Sequence, residues 1–363
     1  MTYAFAAAGT GGHVYPALAT ADELVSTGVS RDDIVFFGGY RMETEAVPGA
    51  GYELVRSDIR GLRRSLSPDN LKLPMVVRKA TREMEVVMRR RNVKVVIAFG
   101  GYVAVPAARA GSRIGATIFL HEQNAIPGLA NRYISSRTHT SFVAFPEAAT
   151  RLRHAKVVGN PLRPPFVSFD RGALRAQARR RYGLADDFIV IGVLGGSLGA
   201  KVLNDVTARI VADVDPGEIA VLHLTGKIHI DDVRPEAERS AVAWRALAFE
   251  EEMQHFYAAA DIVLSRAGAL TVSELAATGT PAVVVPFAAG TAGHQAANVA
   301  HLEAAGGCIV VPEGEIDRAA VEIQQLVADP ARRAAMAEAA AKVGRPDAAS
   351  VIATVLREAA RDH

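Results

Sequence analysis

The sequence predicts an α/β protein of two doubly wound, Rossmann-like domains, and three observations carry that prediction. Short apolar runs alternate with Ala-rich helical stretches along the whole chain, the pattern of parallel strands joined by crossover helices. Each half opens with a strand, a glycine-rich turn and a helix: Ala4–Ala7 leads into Gly9-Thr10-Gly11-Gly12-His13, and Ile189–Leu194 into Gly195-Gly196-Ser197-Leu198-Gly199-Ala200. Between the halves, Gly159-Asn160-Pro161-Leu162-Arg163-Pro164-Pro165 is dense in residues that interrupt regular structure, which marks the domain boundary.

The remaining elements follow in order. In the first half Val95–Phe99 runs into Gly100-Gly101-Tyr102, and Ile118–Leu120 into His121-Glu122-Gln123-Asn124. In the second, Ile262–Leu264 runs into Ser265-Arg266-Ala267-Gly268 and a helix that Gly279 terminates, and Ala282–Val285 runs into Pro286-Phe287. Asp329-Pro330 supplies an N-cap and a first-turn proline for a helix over Ala331–Val343. Doubly wound sheets bind ligands beyond the carboxyl ends of their strands, so a cleft between the two sets of loops is expected. The expected division is 1–163, 164–340 and a C-terminal helical piece, 341–363, packing back on the first domain.

Composition narrows the class. The 363 residues suffice for two cores, and 50% hydrophobic with 22% charged residues, without an apolar run of about twenty, fits neither a disordered nor a membrane-spanning chain. The first five residues lack a basic n-region and read as a first strand, not a signal peptide. The lone Cys308, followed by Ile309, Val310 and Val311, excludes an internal disulfide framework and reads as a buried strand position in a reducing cytoplasm.

The net charge of +2 conceals an asymmetry: residues 1–163 carry 22 Lys/Arg against 13 Asp/Glu, whereas the remainder is acidic by seven charges. Between Arg56 and Lys94 there are 12 basic residues, among them Arg63, Arg64, Arg78, Lys79, Arg89, Arg90 and Arg91, against four acidic ones. This is either a solvated helix face or a surface for anionic lipid. The interleaved Leu66, Leu71, Leu73, Met75, Val76 and Val77, with no stacking aromatics, favour a membrane over nucleic acid.

Four loops carry chemistry. Gly9–His13 lies where a strand hands over to a helix, so its amides suit an anion, while Val14 in place of a third glycine breaks the dinucleotide fingerprint. His13, with an ordinary pKa of about 6.5, suits general-base work. Gly195–Gly199 reads either as a nucleophile elbow around Ser197, with Asp261 and His294 following in the order of a hydrolase triad, or as a phosphate cradle; the cradle accounts for more, since a hydrolase leaves the first half unexplained. Ala200 before Lys201 excludes a Walker A loop. In Ser265–Glu274 the Ala269 and Leu270 amides suit a phosphate and Glu274 a ribose diol, although Thr271 and Glu274 also have capping-box spacing. His294, Gln295 and Asn298 suit sugar hydroxyls.

The order of these motifs, Gly-Thr-Gly-Gly-His at 9–13, Gly-Gly-Tyr-Val at 100–103, His-Glu-Gln-Asn at 121–124, Gly-Asn-Pro-Leu-Arg at 159–163, Gly-Gly-Ser-Leu-Gly-Ala at 195–200, Arg-Ala-Gly-Ala-Leu-Thr-Val-Ser-Glu at 266–274 and His-Gln-Ala-Ala-Asn at 294–298, closely resembles the MurG family of peptidoglycan N-acetylglucosaminyltransferases from about residue 3 to 357. The resemblance implies a GT-B fold and inverting transfer of N-acetylglucosamine from UDP-GlcNAc to the 4-hydroxyl of the muramoyl residue of lipid I, giving lipid II. It implies no required cofactor or metal. The implied location is the cytoplasmic face of the cell membrane, at its anionic surface, alongside other cell-wall synthesis proteins and without nucleic acid.

The resemblance also implies roles. His13 is the first candidate for the base, and Thr10, Gly11, Gly12 and Asn124 line the catalytic mouth where both substrates meet, with Tyr102 on the acceptor side. Glu274 would hold the ribose, Arg163 and Ser197 the diphosphate region, and the Ala269 and Leu270 amides the phosphates. Uracil would lie against backbone near Phe249 and Glu250, and His294, Gln295 and Asn298 would meet the donor sugar. Three positions depart from the family pattern: Ala8 replaces a usual glycine, Leu198 a usual Gln, and Gly293-His294 a more polar donor-sugar segment. Two other readings stay open: a different GT-B enzyme, such as a lipid-linked glycosyltransferase or UDP-sugar epimerase, and a non-catalytic nucleotide-sugar binder.

Overall fold

A computed structural model describes residues 2–59, 73–196, 198–288 and 293–363. The chain divides into two compact units, Met1–Pro164 with Pro346–His363, and Pro165–Arg345.

The first unit holds strands β1 (Thr2–Ala7), β2 (Ile34–Gly38), β3 (Glu53–Arg56), β4 (Val93–Gly100), β5 (Thr117–Glu122), β6 (Thr140–Val143) and β7 (Ala155–Val157). They form one parallel sheet in the order β3-β2-β1-β4-β5-β6-β7. The order reverses between β1 and β4, and the loops after them flank the switch point where doubly wound sheets hold ligands. Every residue of β1 is buried, and strand alternation sends its side chains to two cores. Tyr3, Phe5 and Ala7 pack with Val14, Leu24 and the C-terminal residues Ile352 and Leu356. Ala4 and Ala6 pack with Met84, Met88 and Ala107 on the other face. Small residues there admit the helices Leu73–Arg90 and Ala104–Ile114 close to the sheet, while Phe5 stacks on Phe36 and Phe99 at 5.1 and 6.0 Å on the opposite face.

The second unit holds β8 (Ile189–Leu194), β9 (Ile219–Leu224), β10 (Ala243–Leu247), β11 (Ile262–Ser265), β12 (Ala282–Val284) and β13 (Cys308–Val310), in the parallel order β10-β9-β8-β11-β12-β13. Its switch point lies between β8 and β11. Cys308 opens β13, and burial pushes its thiol up to about 12, so it is a small apolar side chain at neutral pH. Gly279, at φ +57°, ends the helix Ala269–Thr278. The helix Pro330–Val343 starts one residue before the sequence expectation, with the Asp329 side chain accepting from the Arg332 amide at 2.9 Å.

Among the described residues no helix is long and apolar enough to cross a membrane. In the basic segment, Arg63, Arg64, Leu66 and Leu71 lie outside the described residues. The helix Leu73–Arg90 buries Ala80, Thr81, Met84 and Met88 and exposes Met75, Val76, Arg78, Lys79 and Arg82.

The last helix, Ala348–Arg361, completes the first unit's core rather than the second's, because Ile352, Ala353, Leu356 and Ala360 lie against β1 and the first helix. Ile352→Ala is therefore expected to lower stability by about 2–5 kcal/mol, the range for truncating a fully buried aliphatic side chain. Urea unfolding followed by a probe in the first unit checks this; an unchanged midpoint would show that the helix is dispensable.

Candidate active site

In the first unit four loops share one edge of the sheet. Gly9, at φ +105°, lets the chain turn out of β1 into the helix Gly11–Ser26. The Gly9 amide donates to Glu43 Oε2 at 3.1 Å, and the Gly39 amide, in the loop after β2, to Oε1 at 2.9 Å. Glu43 is fully buried, so one carboxylate ties two loops together. Thr10 is the N-cap residue but no side chain caps this helix, and Gly11 and Gly12 form its first turn. Thr10 Oγ1 lies 3.4 Å from His13 Nδ1.

Gly100, at φ +104°, brings the end of β4 against the His13 ring: a Cβ there would stand 2.9 Å from Cδ2 and 3.0 Å from Nε2. Tyr102 reaches back to the loop after β2, where its hydroxyl occupies the space a side chain at Gly39 would need. After β5 the carboxylate of Glu122 is saturated. Oε1 accepts from the Asn124 amide and Nδ2 at 3.0 and 3.2 Å, and Oε2 from the Gly128 amide and Asn131 Nδ2 at 3.0 and 2.9 Å. Asn124 is thereby fixed beside a buried charge.

Two histidines of this edge have different chemistry. Burial holds the His121 imidazole near about 4; one ring nitrogen donates to the Gly159 carbonyl at 2.9 Å and the other accepts from Gln123 Nε2 at 3.0 Å. That residue is a neutral structural strut. Burial also lowers His13 from its ordinary value, opposed by Glu122, the Ala8 backbone and Glu43, so at neutral pH it is an unprotonated imidazole able to take a proton. Arg163 stacks over Tyr15 at 5.7 Å.

In the second unit the loop after β8 is closed by contact with the loop after β9: Gly199, at φ +79°, sits so close to the Thr225 carbonyl that any side chain would collide with it. Ser197 lies outside the described residues, and Leu198 is 69% exposed. The hydrolase reading fails on topology. Asp261 stands at the amino end of β11, with its backbone amide bonded to the Val190 carbonyl and its carboxylate accepting from Arg175, Arg179 and the Val190 amide, whereas the Ser197 loop leaves the carboxyl end of β8.

The helix Ala269–Thr278 has Gly268 as N-cap, so Thr271 lies inside it and the capping-box account of Glu274 is overturned. Ala269 and Leu270 open the helix, with no side-chain cap and no acid in the first turn. Glu274 Oε2 accepts from the Tyr257 hydroxyl at 2.9 Å, which orients the carboxylate. Phe249 is 41% exposed, with Lys227 Nζ 5.4 Å from its ring centre. Glu250 is turned inward: burial works against its charge, but Tyr182, the Glu252 amide and Arg181 outweigh that and lower its pKa. Its side chain anchors the loop after β10.

His294 opens the helix His294–Ala304. Gln295 Oε1 accepts from the amides of Ala267 and Phe287 at 3.2 and 2.9 Å, and buried Asn298 donates to the Ala267 carbonyl at 3.3 Å. Both grip the loop after β11. Sequence reasoning missed Glu43, Glu122 as an acceptor, Tyr257, Arg266 and Glu313; Glu122 and Arg266 carried a signal, their places inside quoted motifs.

Two parallel α/β units, each with glycine-rich loops at the carboxyl edge of its sheet, are the two-domain Rossmann-like architecture of the GT-B class. Residues 3–143 match the glycosyltransferase family 28 N-terminal domain and residues 190–352 its C-terminal domain. Over 99% of its length the chain is 38% identical to the UDP-N-acetylglucosamine–N-acetylmuramyl-(pentapeptide) pyrophosphoryl-undecaprenol N-acetylglucosamine transferase of Acidothermus cellulolyticus, covering 98% of that protein. It is 40% identical over 98% of its length to the protein of the same name from Mycolicibacterium smegmatis, covering 93% of it. Among solved structures, Acinetobacter baumannii MurG resembles it with a TM-score of 0.78 at 28% identity, over 99% of this chain and 100% of that one. The UDP-GlcNAc 2-epimerase of Neisseria meningitidis, with a TM-score of 0.70 at 14% identity over 99% of this chain and 100% of that one, shares the fold alone. The chain belongs to the MurG family.

Gly100→Ala tests the loop geometry around His13. The positive φ and the collision with the ring predict a stability loss above about 1 kcal/mol and a displaced imidazole. NMR titration of His13 should show a changed pKa; an unaltered titration would mean the ring is not held by this contact.

Proposed function

We propose that the protein is an inverting hexosyltransferase that moves N-acetylglucosamine from UDP-GlcNAc to the muramoyl 4-hydroxyl of lipid I, giving lipid II for peptidoglycan synthesis. What carries the reading is identity of 38–40%, over nearly the full length, to proteins bearing that enzyme's name. Incubation with radiolabelled UDP-GlcNAc and a lipid I analogue tests it: transfer supports it, while epimerised sugar, or binding without turnover, would refute it.

In this mechanism His13 takes the proton of the attacking hydroxyl as the oxygen reaches the anomeric carbon from the face opposite UDP, which converts an α-linked donor into a β-linked product. Thr10, Gly11, Gly12, Asn124 and Tyr102 shape the acceptor mouth. On the donor side, the Ala269 and Leu270 amides, Arg163 and Ser197 offset charge developing on the diphosphate, and Glu274 holds the ribose. Phe249 and Glu250 place backbone against uracil, and His294 and Gln295 meet the sugar. Asn298, buried and bonded to the Ala267 carbonyl, acts by holding that peptide in place.

The two key residues should separate kinetically. His13→Ala is expected to lower turnover by roughly 10² to 10⁴ with UDP affinity retained, whereas Glu274→Ala weakens UDP by about 1.5–3 kcal/mol. Because burial lowers the His13 pKa and the base works unprotonated, kcat/KM should fall on acidification only below about pH 6.5. An acid limb above that value, or near-normal turnover of His13→Ala, would remove His13 from the mechanism.

Lipid I presents its diphosphate at the cytoplasmic membrane surface, and the exposed Met75, Val76, Arg78, Lys79 and Arg82 of the helix Leu73–Arg90 suit reversible docking there. Each surface cation near anionic lipid contributes about 1 kcal/mol. Changing Arg78, Lys79 and Arg82 to Gln should weaken salt-sensitive flotation with anionic vesicles while preserving activity on a soluble acceptor. Equal flotation with neutral lipid at low salt would leave a solvated helix as the explanation.

A further inference from the structure

In the stretch after β12 the Val285 amide still bonds to the Ser265 carbonyl of β11 at 2.8 Å, and side chains from two other loops and from the helix His294–Ala304 hold the stretch. Arg266 Nη1, from the loop after β11, donates to the carbonyls of Val285 and Pro286 at 3.2 and 3.4 Å and to Glu313 Oε2 at 2.8 Å. The Arg266 guanidinium stands 5.3 Å from the centre of the Phe287 ring, whose other surroundings leave it 43% exposed. Glu313, in a 3-10 turn after β13 (Glu313–Glu315), also accepts from the Ala288 amide at 3.0 Å through the same oxygen. Gln295 takes the Phe287 amide. With its carbonyl oxygen engaged twice, Gln295 has its amide N–H groups to offer a ligand. Burial works against the Glu313 charge, but the Ala288 amide and Arg266 outweigh it and lower its pKa, so it is an anion at neutral pH.

We propose that Glu313 is a positioning residue for recognition of the donor hexose: by holding Arg266 and the Ala288 amide it fixes the Val285–Ala288 wall, which carries Phe287 and lies against Gln295. This rests on the reading of the protein as a UDP-GlcNAc-dependent transferase. The nucleotide groups have supports besides Glu313. Glu274 is oriented by Tyr257, and the Ala267 peptide before Ala269 is gripped by Gln295 and Asn298. Loss of Glu313 therefore acts on the sugar and spares UDP.

The full-length protein with Glu313→Ala and Glu313→Gln tests this against a soluble lipid I analogue. Glu313→Ala should raise KM for UDP-GlcNAc by roughly tenfold or more, as for loss of a charge-assisted hydrogen bond, while kcat stays within about threefold and the inhibition constant of UDP within about twofold. Glu313→Gln keeps an acceptor for Ala288 but loses the charge facing Arg266, and should fall between. Parallel weakening of UDP and UDP-GlcNAc, or an unmoved KM in Glu313→Ala, would overturn the proposal. If the unmodified protein transfers nothing from UDP-GlcNAc, the parent reading itself fails, and that outcome is visible before any variant is compared.

Discussion

Backbone amides that leave a parallel sheet lose their ladder partners, and in this protein side-chain oxygens, buried or half-buried, replace them. Glu43 takes the amides of Gly9 and Gly39, Glu122 those of Asn124 and Gly128, and Gln295 and Glu313 those of Ala267, Phe287 and Ala288. Leaving a buried group unpaired costs about 1–3 kcal/mol, so the buried carboxylates of Glu43 and Glu122 are part of the fold as much as of the site. One acceptor serving two loops also makes the loops mutually rigid. Groups mounted on them are then held in advance of any ligand, which is the condition for electrostatic stabilisation of a transition state.

Two of these carboxylates set His13 apart from His121. Glu122 and Glu43 face His13 and partly offset the effect of its burial, whereas His121 has both ring nitrogens occupied and is held near about 4. In the second unit His223, stacked on Trp244 and bonded to Asn204 Oδ1, is held near about 3. All three are imidazoles lowered by burial. Only His13 lies at the mouth of a glycine-rich loop with acidic neighbours that keep its proton affinity from collapsing.

The division of charge along the chain fits the proposed division of labour. The basic first half carries the exposed helix with Met75, Val76 and three cations, and the acidic second half carries the loops proposed to hold the donor. Of the family departures, Leu198 is exposed on a loop whose backbone is fixed by the close approach of Gly199 to Thr225, so its change of chemistry leaves that backbone in place. Ala8 is buried beside Gly101, where it packs rather than reacts.

Much of the architecture was legible because its causes are local. Alternating apolar runs specify buried parallel strands, glycines at positive φ specify the turns out of β1, β4 and β8, and Asp329-Pro330 specifies a helix start; each depends on neighbours in sequence. The sequence does not single out the short strands β2, β3, β6, β7, β9 and β10, since segments of three to six residues gain strand identity only from the sheet they join. Motif order likewise identified the family and the loops where His13, Asn124, Glu274 and Gln295 stand. What tertiary structure alone decided is which acid serves which amide. Glu43 reaches Gly9 across 34 positions and Glu313 reaches Arg266 across 47, distances at which no periodicity or spacing rule operates. The capping-box spacing of Thr271 and Glu274 and the hydrolase order of Ser197, Asp261 and His294 were plausible along the chain and failed in space, the first because the helix begins at Ala269 and the second because a parallel sheet puts Asp261 at its opposite edge. Hydrogen-bond partners are chosen by proximity after folding, and proximity between distant segments is set by the strand order of the sheet.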